Sequence, residues 1–404
     1  ASFFGLDERS TEFFIYLVNL ARADSKELRA FYQQKLSKLR ADAQNIKNLV
    51  KGREELSDLD KGRFYSNWYY SGVRILSSVP GYQHREEIAR RLGLPLPLID
   101  DIIDFLLEEK SSPHFITDAI EHKAVLQVFE LAKKRGAEIS VAPVNADGVV
   151  DIEQLQRLIK PNTRLISVMA ANNEIGSLNP LAAIGDLCAT HKIIFHTDAA
   201  QAVGRIPLPI DQLQIDLLSL SAHKIYGPKG VGALIIGPVN RPFKLGSLLV
   251  GGEQELGIRP GTLNVPGIVG LGTACHILME EMSDEVRKMR DWQLKIIAAL
   301  SRLPGVQLNG PKDNRLCNNV SFSFQNLHPD EIMTGLSGFA YSSGSACTSG
   351  DPKPSHVLKA IGRTDQMARA TVRLGLGRFN VESDIDAVTK RLIGLVAAQK
   401  TATV

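Results

Sequence analysis

Ser219-Leu-Ser-Ala-His-Lys-Ile-Tyr-Gly-Pro-Lys-Gly230 runs from an apolar segment into a tight turn and carries a lysine at the junction. Leu217, Leu218 and Leu220 read as the end of a buried strand, and Gly227-Pro-Lys-Gly230 as the turn that leaves it. Held partly dry at a strand end, a lysine can release its proton and attack a carbonyl to form a Schiff base. Ser219, Ser221 and His223 supply donors for an anionic group beside that amine. Taken alone, the segment also reads as a surface turn with a solvated lysine, and the surrounding chain has to choose between the two.

Working outward, short β-rich runs alternate with amphipathic segments from Pro113 onward. The runs are Phe115-Ile-Thr, Ile139-Ser-Val-Ala, Leu165-Ile-Ser-Val-Met, Ile193-Ile-Phe-His, Leu217-Leu-Ser-Leu and Ala233-Leu-Ile-Ile. Helical segments such as 124–135, 152–160 and 181–190 lie between several of them. This alternation predicts an α/β fold with a mainly parallel sheet, whose ligands bind beyond the carboxyl ends of the strands. A long helical region begins near Gly267; Val286, Met289, Ile296, Leu300 and Leu303 mark one apolar face, which Pro304-Gly305 stops. A smaller α+β unit follows, with strands at Asn319-Val-Ser-Phe-Ser-Phe and Ala370-Thr-Val-Arg-Leu-Gly-Leu and a closing helix from Glu382. The expected division is 1–112 as an all-α block, 113–265 as a large sheet domain and 266–404 as a small C-terminal domain.

The block 1–112 reads as helical throughout. Asp24 and Glu27 have capping-box spacing, and Leu28, Tyr32, Leu36, Leu39, Ala43 and Ile46 recur at helical intervals. Phe13 to Leu20 and Tyr65 to Leu76 read as two more helices. His84 to Leu94 followed by Ile99 to Glu109, with Gly93 between, has the pattern of a helix-turn-helix. Its second helix carries Asp100, Asp101, Asp104, Glu108 and Glu109, the wrong sign for a helix facing phosphates. Helix packing is therefore expected here, and nucleic acid is not.

Composition agrees with that. The 404 residues carry a net charge of only +3, which gives no reason to expect a nucleic-acid or membrane surface. No apolar run approaches the roughly 18 residues needed to span a bilayer. The opening Ala1-Ser-Phe-Phe-Gly-Leu-Asp-Glu-Arg puts charges where a signal peptide has its apolar core. Four cysteines without a CxxC pair argue against a disulfide framework and a zinc site, so a reducing cytoplasm is the expected setting.

The strand ends collect polar residues that a core would reject: Asn172-Asn173-Glu174, then His196-Thr-Asp198, with Gln201 one turn on. Each alone is more often a cap or turn residue. Together with Lys224 at successive strand ends they point to pyridoxal phosphate, because a carboxylate beside a pyridine nitrogen keeps it protonated and makes the ring an electron sink.

Six motifs then occur in order: Glu121-His-Lys-Ala-Val, Ala171-Asn-Asn-Glu-Ile-Gly, His196-Thr-Asp-Ala-Ala-Gln, Ser221-Ala-His-Lys-Ile-Tyr-Gly-Pro-Lys-Gly, Gly257-Ile-Arg-Pro-Gly-Thr and Ser342-Ser-Gly-Ser-Ala-Cys-Thr-Ser. With these, the chain from about His114 to its end resembles the cysteine desulfurases, fold-type-I pyridoxal-phosphate enzymes of the class V aminotransferase group. The Ser-Ser-Gly-Ser-Ala-Cys loop resembles the branch that serves general iron–sulfur assembly. The resemblance implies removal of sulfur from L-cysteine, giving alanine and a persulfide on Cys347 for transfer to an acceptor or scaffold protein. It implies Lys224 as the residue that carries the cofactor and moves the Cα proton, Asp198 beside the pyridine nitrogen, and Gln201 and Asn173 at the ring. His122 would stack on the ring and assist proton transfers, and Ser221 and His223 would hold the phosphate. Thr262 would reach in from the partner of a homodimer, while Arg373 and Asn173 would bind the substrate. No metal is implied.

The cysteines sort independently. Cys188 and Cys275 lie on apolar helical faces and Cys317 precedes a strand, which reads as three core thiols. Cys347 sits among Ser and Gly with nothing to bury it, as a thiol that travels must. Two features depart from the family. Residues 1–113 contain no Gly-Thr/Ala-Thr-Glu-like turn to cradle a phosphate at a helix N-terminus; Ser10-Thr-Glu12 lacks the glycine. Leu256 also stands where many members carry arginine. The chain thus reads as a desulfurase whose first third is replaced by the helical block, which more faintly resembles a helical, winged-helix-like part of bacterial regulators. Two other readings stand beside it: another class V enzyme or cofactor-sensing regulator, and a regulatory or interaction module fused to an impaired desulfurase remnant.

Overall fold

Residues 16, 20, 26–44, 67–77, 85–107, 112–237, 243, 245–343 and 354–402 are described by a computed structural model. The chain divides into two units, Ala1–Lys110 and Ser111–Val404. In the first, α1 spans Lys26–Gln44, α2 Trp68–Ser77, α3 Arg85–Leu92 and α4 Leu96–Leu107. Tyr70, Val73, Ile88, Ile99 and Ile102 from the last three helices form a core of their own. Gly93, at φ 66°, makes the tight turn from α3 to α4, a conformation that favours glycine. This is the helix-turn-helix expected from sequence. Its second helix is acidic and exposed at Asp101, and Asp100 pairs with Arg85 at 2.9 Å. Glu108, Glu109, most of the expected helix at 13–20, Asp24 and Ser10-Thr-Glu12 lie outside the described residues.

The second unit is built on a six-stranded sheet. Its strands are β1 His114–Asp118, β2 Glu138–Ala142, β3 Thr163–Ser167, β4 Ile194–Asp198, β5 Leu217–Ser221 and β6 Gly232–Ile236. All six apolar runs picked out in the sequence are strands. Their order is β2-β1-β3-β4-β5-β6, parallel except for β6. Helices α5 Lys123–Lys134, α6 Ile152–Arg157 and α7 Leu181–His191 supply the crossovers. Ile116, Ile166, Phe195 and Leu218 pack against Leu181, Ile184 and Cys188 of α7 in one buried cluster. Each of the large side chains contributes about 1.5–3 kcal/mol by leaving water. β6 closes the sheet as an antiparallel edge strand, exposed at all five residues. Because β2 lies on one side of β1 and β3 on the other, the strand order reverses at β1, and crevices in such sheets open at this kind of reversal.

A 36-residue helix, α8 (Val265–Leu300), leads to the smaller antiparallel sheet. Asn264 caps it by accepting the Gly267 N–H at 3.2 Å. The second sheet, ordered β7-β8-β10-β9, comprises β7 Val306–Leu308, β8 Asn319–Phe324, β9 Ser342–Ser343 and β10 Thr371–Gly375. Short helices α9 Pro329–Gly335, α10 His356–Ala360 and α11 Asp365–Arg369 connect its strands, and α12 (Glu382–Ala402) closes the unit. Met289, Trp292 and Ile296 of α8 and Leu392 of α12 bury Phe322 and Phe324. Arg315, itself buried, donates to the carbonyls of Pro311 (2.9 Å) and Ile175 (2.8 Å), tying the small sheet to the loop after β3. No helix among the described residues is long and apolar enough to cross a membrane.

Candidate active site

The carboxyl ends of β1, β3, β4 and β5 open into a cavity of about 580 Å³. It is lined by His122, Asn173, Asp198, Gln201, Ser221, His223, Lys224 and Arg373, so the structure brings eight of the ten residues singled out in the sequence to one place. Thr262 is exposed in the loop before α8 and does not line this cavity. Cys347 lies outside the described residues; Ser342, five residues before it, is at the cavity wall. Among the other cysteines, Cys188 and Cys317 are buried as expected, and burial pushes the Cys317 thiol up. Cys275 is only half-buried, because α8 turns that position toward the surface.

β5 passes directly into a single 3-10 turn, Ala222–Ile225, which ends at Tyr226 with φ 65°. A left-handed conformation costs a non-glycine residue about 1–2 kcal/mol. Contacts to the ring offset it: the Arg378 guanidinium stacks at 4.2 Å and Arg205 at 5.6 Å, and the Arg378 N–H donates to the phenol oxygen at 3.0 Å. The turn carries Lys224 past the strand end. Lys224 is therefore exposed at the cavity, not partly dry as its place after an apolar run led us to expect. Among the described residues its amine has no hydrogen bond or ion pair. Beside it Ser221 and His223 join through Oγ and Nδ1 at 2.7 Å. Burial, then the charges of Lys224 and Lys229, hold His223 below its ordinary pKa, so the corner favours an anion.

The opposite wall is acidic. Asp198 ends β4, and its Oδ1 accepts the Ala200 N–H at 2.9 Å. Its parallel register sets it beside Ser219 of β5. His122 caps α5: Nδ1 accepts the Ala124 N–H at 3.2 Å, so the neutral ring carries its proton on Nε2. Asn172 is spent on structure; its Oδ1 accepts from Glu174 and Ile175 and its Nδ2 donates to the Ile120 carbonyl. That frees Asn173 to face the cavity, while its carbonyl accepts from Arg373 Nη1 at 3.1 Å and Asn319 Nδ2 at 3.2 Å. Arg373, on β10, is thus fixed to the loop after β3.

Sequence reasoning missed what lies beneath the cavity floor. His196 Nδ1 meets Ser167 Oγ at 2.8 Å and His196 Nε2 meets Ser219 Oγ at 2.9 Å; Ser167 Oγ in turn meets Glu121 Oε1 at 3.4 Å. Glu121 and Ser167 are buried, and Glu121 Oε2 has no partner among the described residues. Burial raises Asp118 to about 7, and burial followed by Asp118 and Asp198 raises Glu121 well above the carboxylate range. A signal was present: His196 and Asp198 are two residues apart on a strand and so share a face.

Residues 103–388 match the Aminotransferase class-V family. The chain is 44% identical over 287 residues to the mitochondrial cysteine desulfurase of Eremothecium gossypii, which covers 70% of this chain and 58% of that protein. It thus spans less than two thirds of that relative's length. A solved NifS-like protein superposes with a TM-score of 0.64 at 30% identity, covering 85% of this chain and 97% of its own. The solved structure of SspA in complex with cysteine gives 0.58 at 34% identity, covering 74% of this chain and 86% of its own.

Proposed function

Since the chain belongs to the class V aminotransferase family, we propose that it is a pyridoxal-phosphate-dependent cysteine desulfurase, which moves the sulfur of L-cysteine onto Cys347 and leaves alanine. The observation that carries this reading is the convergence of an unpaired lysine, a carboxylate, a histidine and an arginine on one cavity. The donor set fits the cofactor. Ser221, His223 and Lys224 form the anion-favouring corner that a phosphate monoester needs, and Asp198 supplies the carboxylate for a pyridine nitrogen. When bound, pyridoxal phosphate would supply an electron sink for the bond-breaking at the substrate Cα and Cβ.

The protein's own groups do the rest. Arg373, held by the Asn173 carbonyl, would bind the substrate carboxylate in a two-pronged ion pair and orient the amino acid. Lys224, with its amine unpaired, would hold the cofactor and move the Cα proton. His122 carries its neutral-form proton on Nε2, and would exchange protons with the substrate thiol. The Cys347 thiolate would attack the substrate sulfur as the C–S bond breaks; the sulfur stays on Cys347 as a persulfide, and the carbon fragment takes protons to leave as alanine. A carrier or iron–sulfur scaffold protein is the proposed acceptor, in the cytoplasm. We also propose that Thr262, exposed on its loop, completes the phosphate site of the other subunit in a homodimer. Residues 113–265 and 266–404 would act as the large and small domains.

Visible absorbance with added pyridoxal phosphate tests the cofactor: a band is expected that disappears in Lys224→Ala and shifts on adding cysteine. Alanine release tests the chemistry, and Cys347→Ala should abolish sulfur release while the cofactor band stays. Unchanged sulfur release in that variant removes the role given to Cys347. The reading of the first unit as a fused interaction module draws on its separate core; it predicts no Lys224-dependent band in the folded chain.

A further inference from the structure

We propose that Glu121, Ser167, His196 and Ser219 form a hydrogen-bond chain that sets whether Ser219 offers a hydrogen or a lone pair to the cavity, which makes Glu121 and His196 positioning residues for the ring bound against Asp198. The inference rests on the cofactor reading above for its consequence, but not for its existence.

The chain crosses three adjacent parallel strands at their carboxyl ends. Register places Ser167 of β3 beside His196 of β4, and Asp198 of β4 beside Ser219 of β5. The links are 3.4 Å from Ser167 to Glu121, 2.8 Å from Ser167 to His196 and 2.9 Å from His196 to Ser219, the first being the loosest. One end is a buried carboxyl and the other lines the cavity.

A neutral imidazole has one donor and one acceptor nitrogen, and a hydroxyl donates once, so such a chain has only two consistent senses. In the first, Ser167 donates to an ionised Glu121 and accepts from His196 Nδ1. Nε2 must then accept from Ser219, whose hydrogen is spent inward, and a lone pair faces the cavity. In the second, a neutral Glu121 donates to Ser167, Ser167 donates to Nδ1, and Nε2 donates to Ser219. The Ser219 hydrogen is then free for the cavity.

The surroundings select the second sense. The groups that face Glu121 are Asp118 of β1, Asp198 of β4, the Ser167 hydroxyl, the adjoining His122 and His356 of α10, whose Nε2 donates to the Glu121 backbone carbonyl at 3.0 Å and leaves the carboxyl untouched. None is a fixed cation. Asp118 is satisfied by the N–H groups of Ile120 (2.8 Å) and Met169 (3.3 Å), and Asp198 by that of Ala200 (2.9 Å). With two acids nearby Glu121 holds a proton, and it holds it on Oε1, where Ser167 can accept it, because a proton on Oε2 would meet no acceptor among the described residues. His196 stays neutral for the same reason: burial pulls it below its ordinary value against the upward pull of Asp198. A hydroxyl hydrogen beside the Asp198 carboxylate would hold that group in place against a ring N–H.

The infrared carbonyl stretch of the full chain, first without cofactor at neutral pH, tests this. A neutral-carboxyl band is expected that is lost in Glu121→Gln and that moves in Ser219→Ala, the far end of the chain. Both substitutions keep side-chain size nearly unchanged, and far-ultraviolet circular dichroism checks the fold. An infrared spectrum of Glu121→Gln identical to wild type, or a band indifferent to Ser219→Ala, overturns the proposal. Pyridoxal phosphate is then added. A visible maximum displaced in Ser219→Ala and His196→Gln, relative to wild type, supports the positioning role; coincident maxima overturn it. Failure of the cofactor reading looks different, because no Lys224-dependent visible band would form while the infrared result still decides the chain.

Discussion

Two histidines, His114 and His196, do the same job at opposite ends of the same sheet. At the amino end, His114 Nδ1 meets Thr163 Oγ1 at 2.7 Å and Nε2 meets Ser140 Oγ at 2.9 Å, joining β1 to β3 and β2. At the carboxyl end, His196 joins Ser167 and Ser219 across β3, β4 and β5. Each ring spans two hydroxyls, each is kept below its ordinary pKa first by burial, and each satisfies both nitrogens. Of the two, His196 lies under the cavity, through its partner Ser219. His114 is fully buried, with Lys160 and Glu138 paired at the rim beside it. The difference shows that a buried polar bridge is not by itself a functional mark. What matters is the end of the sheet, because only the carboxyl ends open where the strand order reverses.

The largest separation of the two ends comes from Lys224→Ala. Removing the lysine amine that, among the described residues, lines the cavity without a partner should lower turnover of cysteine by roughly three or more powers of ten, with the melting temperature nearly unchanged. Steady-state alanine release beside a thermal melt checks it; retained turnover would move the chemistry elsewhere. Next comes the matched pair His114→Gln and His196→Gln. Each leaves a hydroxyl less well paired and should cost about 1–3 kcal/mol of stability in denaturant titrations. Only His196→Gln should also lower kcat, by about tenfold. Equal kcat in both variants would erase the distinction between the ends.

The architecture was plain in the sequence and the bridges were not. All six sheet strands were visible as apolar-rich runs of three to five residues set between helical segments. Lys224 and Asp198 stood out as polar groups at the ends of such runs, whereas Arg373, in mid-strand, was reached only through the family resemblance. The Ser167–His196–Ser219 bridge was hidden because it depends on which strands are neighbours and in what register, and neither is written in any local stretch. The exposure of Lys224 was misjudged because the strand stops at Ser221 and a 3-10 turn intervenes. The edge position of β6 was hidden too, since Gly232-Ala-Leu-Ile-Ile reads as apolar as any central strand.

The pH dependence of stability sharpens the comparison further, because acids and histidines push it in opposite directions. A histidine whose pKa is lowered on folding binds fewer protons in the native state than in the unfolded one, so His114 and His196 favour the native state less as pH falls below about 6.5. Asp118 is the reverse: raised from 3.8 to about 7, it binds more protons when folded, and stability is lost as pH rises through that window. Asp118 sits under the carboxyl end, whereas the amino end has no raised acid among the described residues. Asp118→Asn should therefore flatten the fall in unfolding free energy between about pH 4 and 7, while His114→Gln should flatten only the loss on the acid side. Denaturant midpoints across pH separate the two, and an unchanged profile in Asp118→Asn would mean that this carboxyl ionises normally.

The smallest effect belongs to the rim of the amino end. Lys160 pairs with Glu138 there, and the pair holds Glu138 below the usual carboxylate range through that hydrogen bond. Both side chains are more than two-fifths exposed, so solvent and salt screen the attraction and the ordering of two flexible chains opposes it. Lys160→Ala also removes the charge that lowers His114, while burial, the larger cause, remains in place and Glu138 still pulls the other way. The expected result is a denaturant midpoint indistinguishable from wild type at high salt and an unchanged kcat. A clear loss of cysteine turnover in Lys160→Ala would show the two ends of the sheet to be coupled, and the division between a structural end and a chemical end would have to be given up.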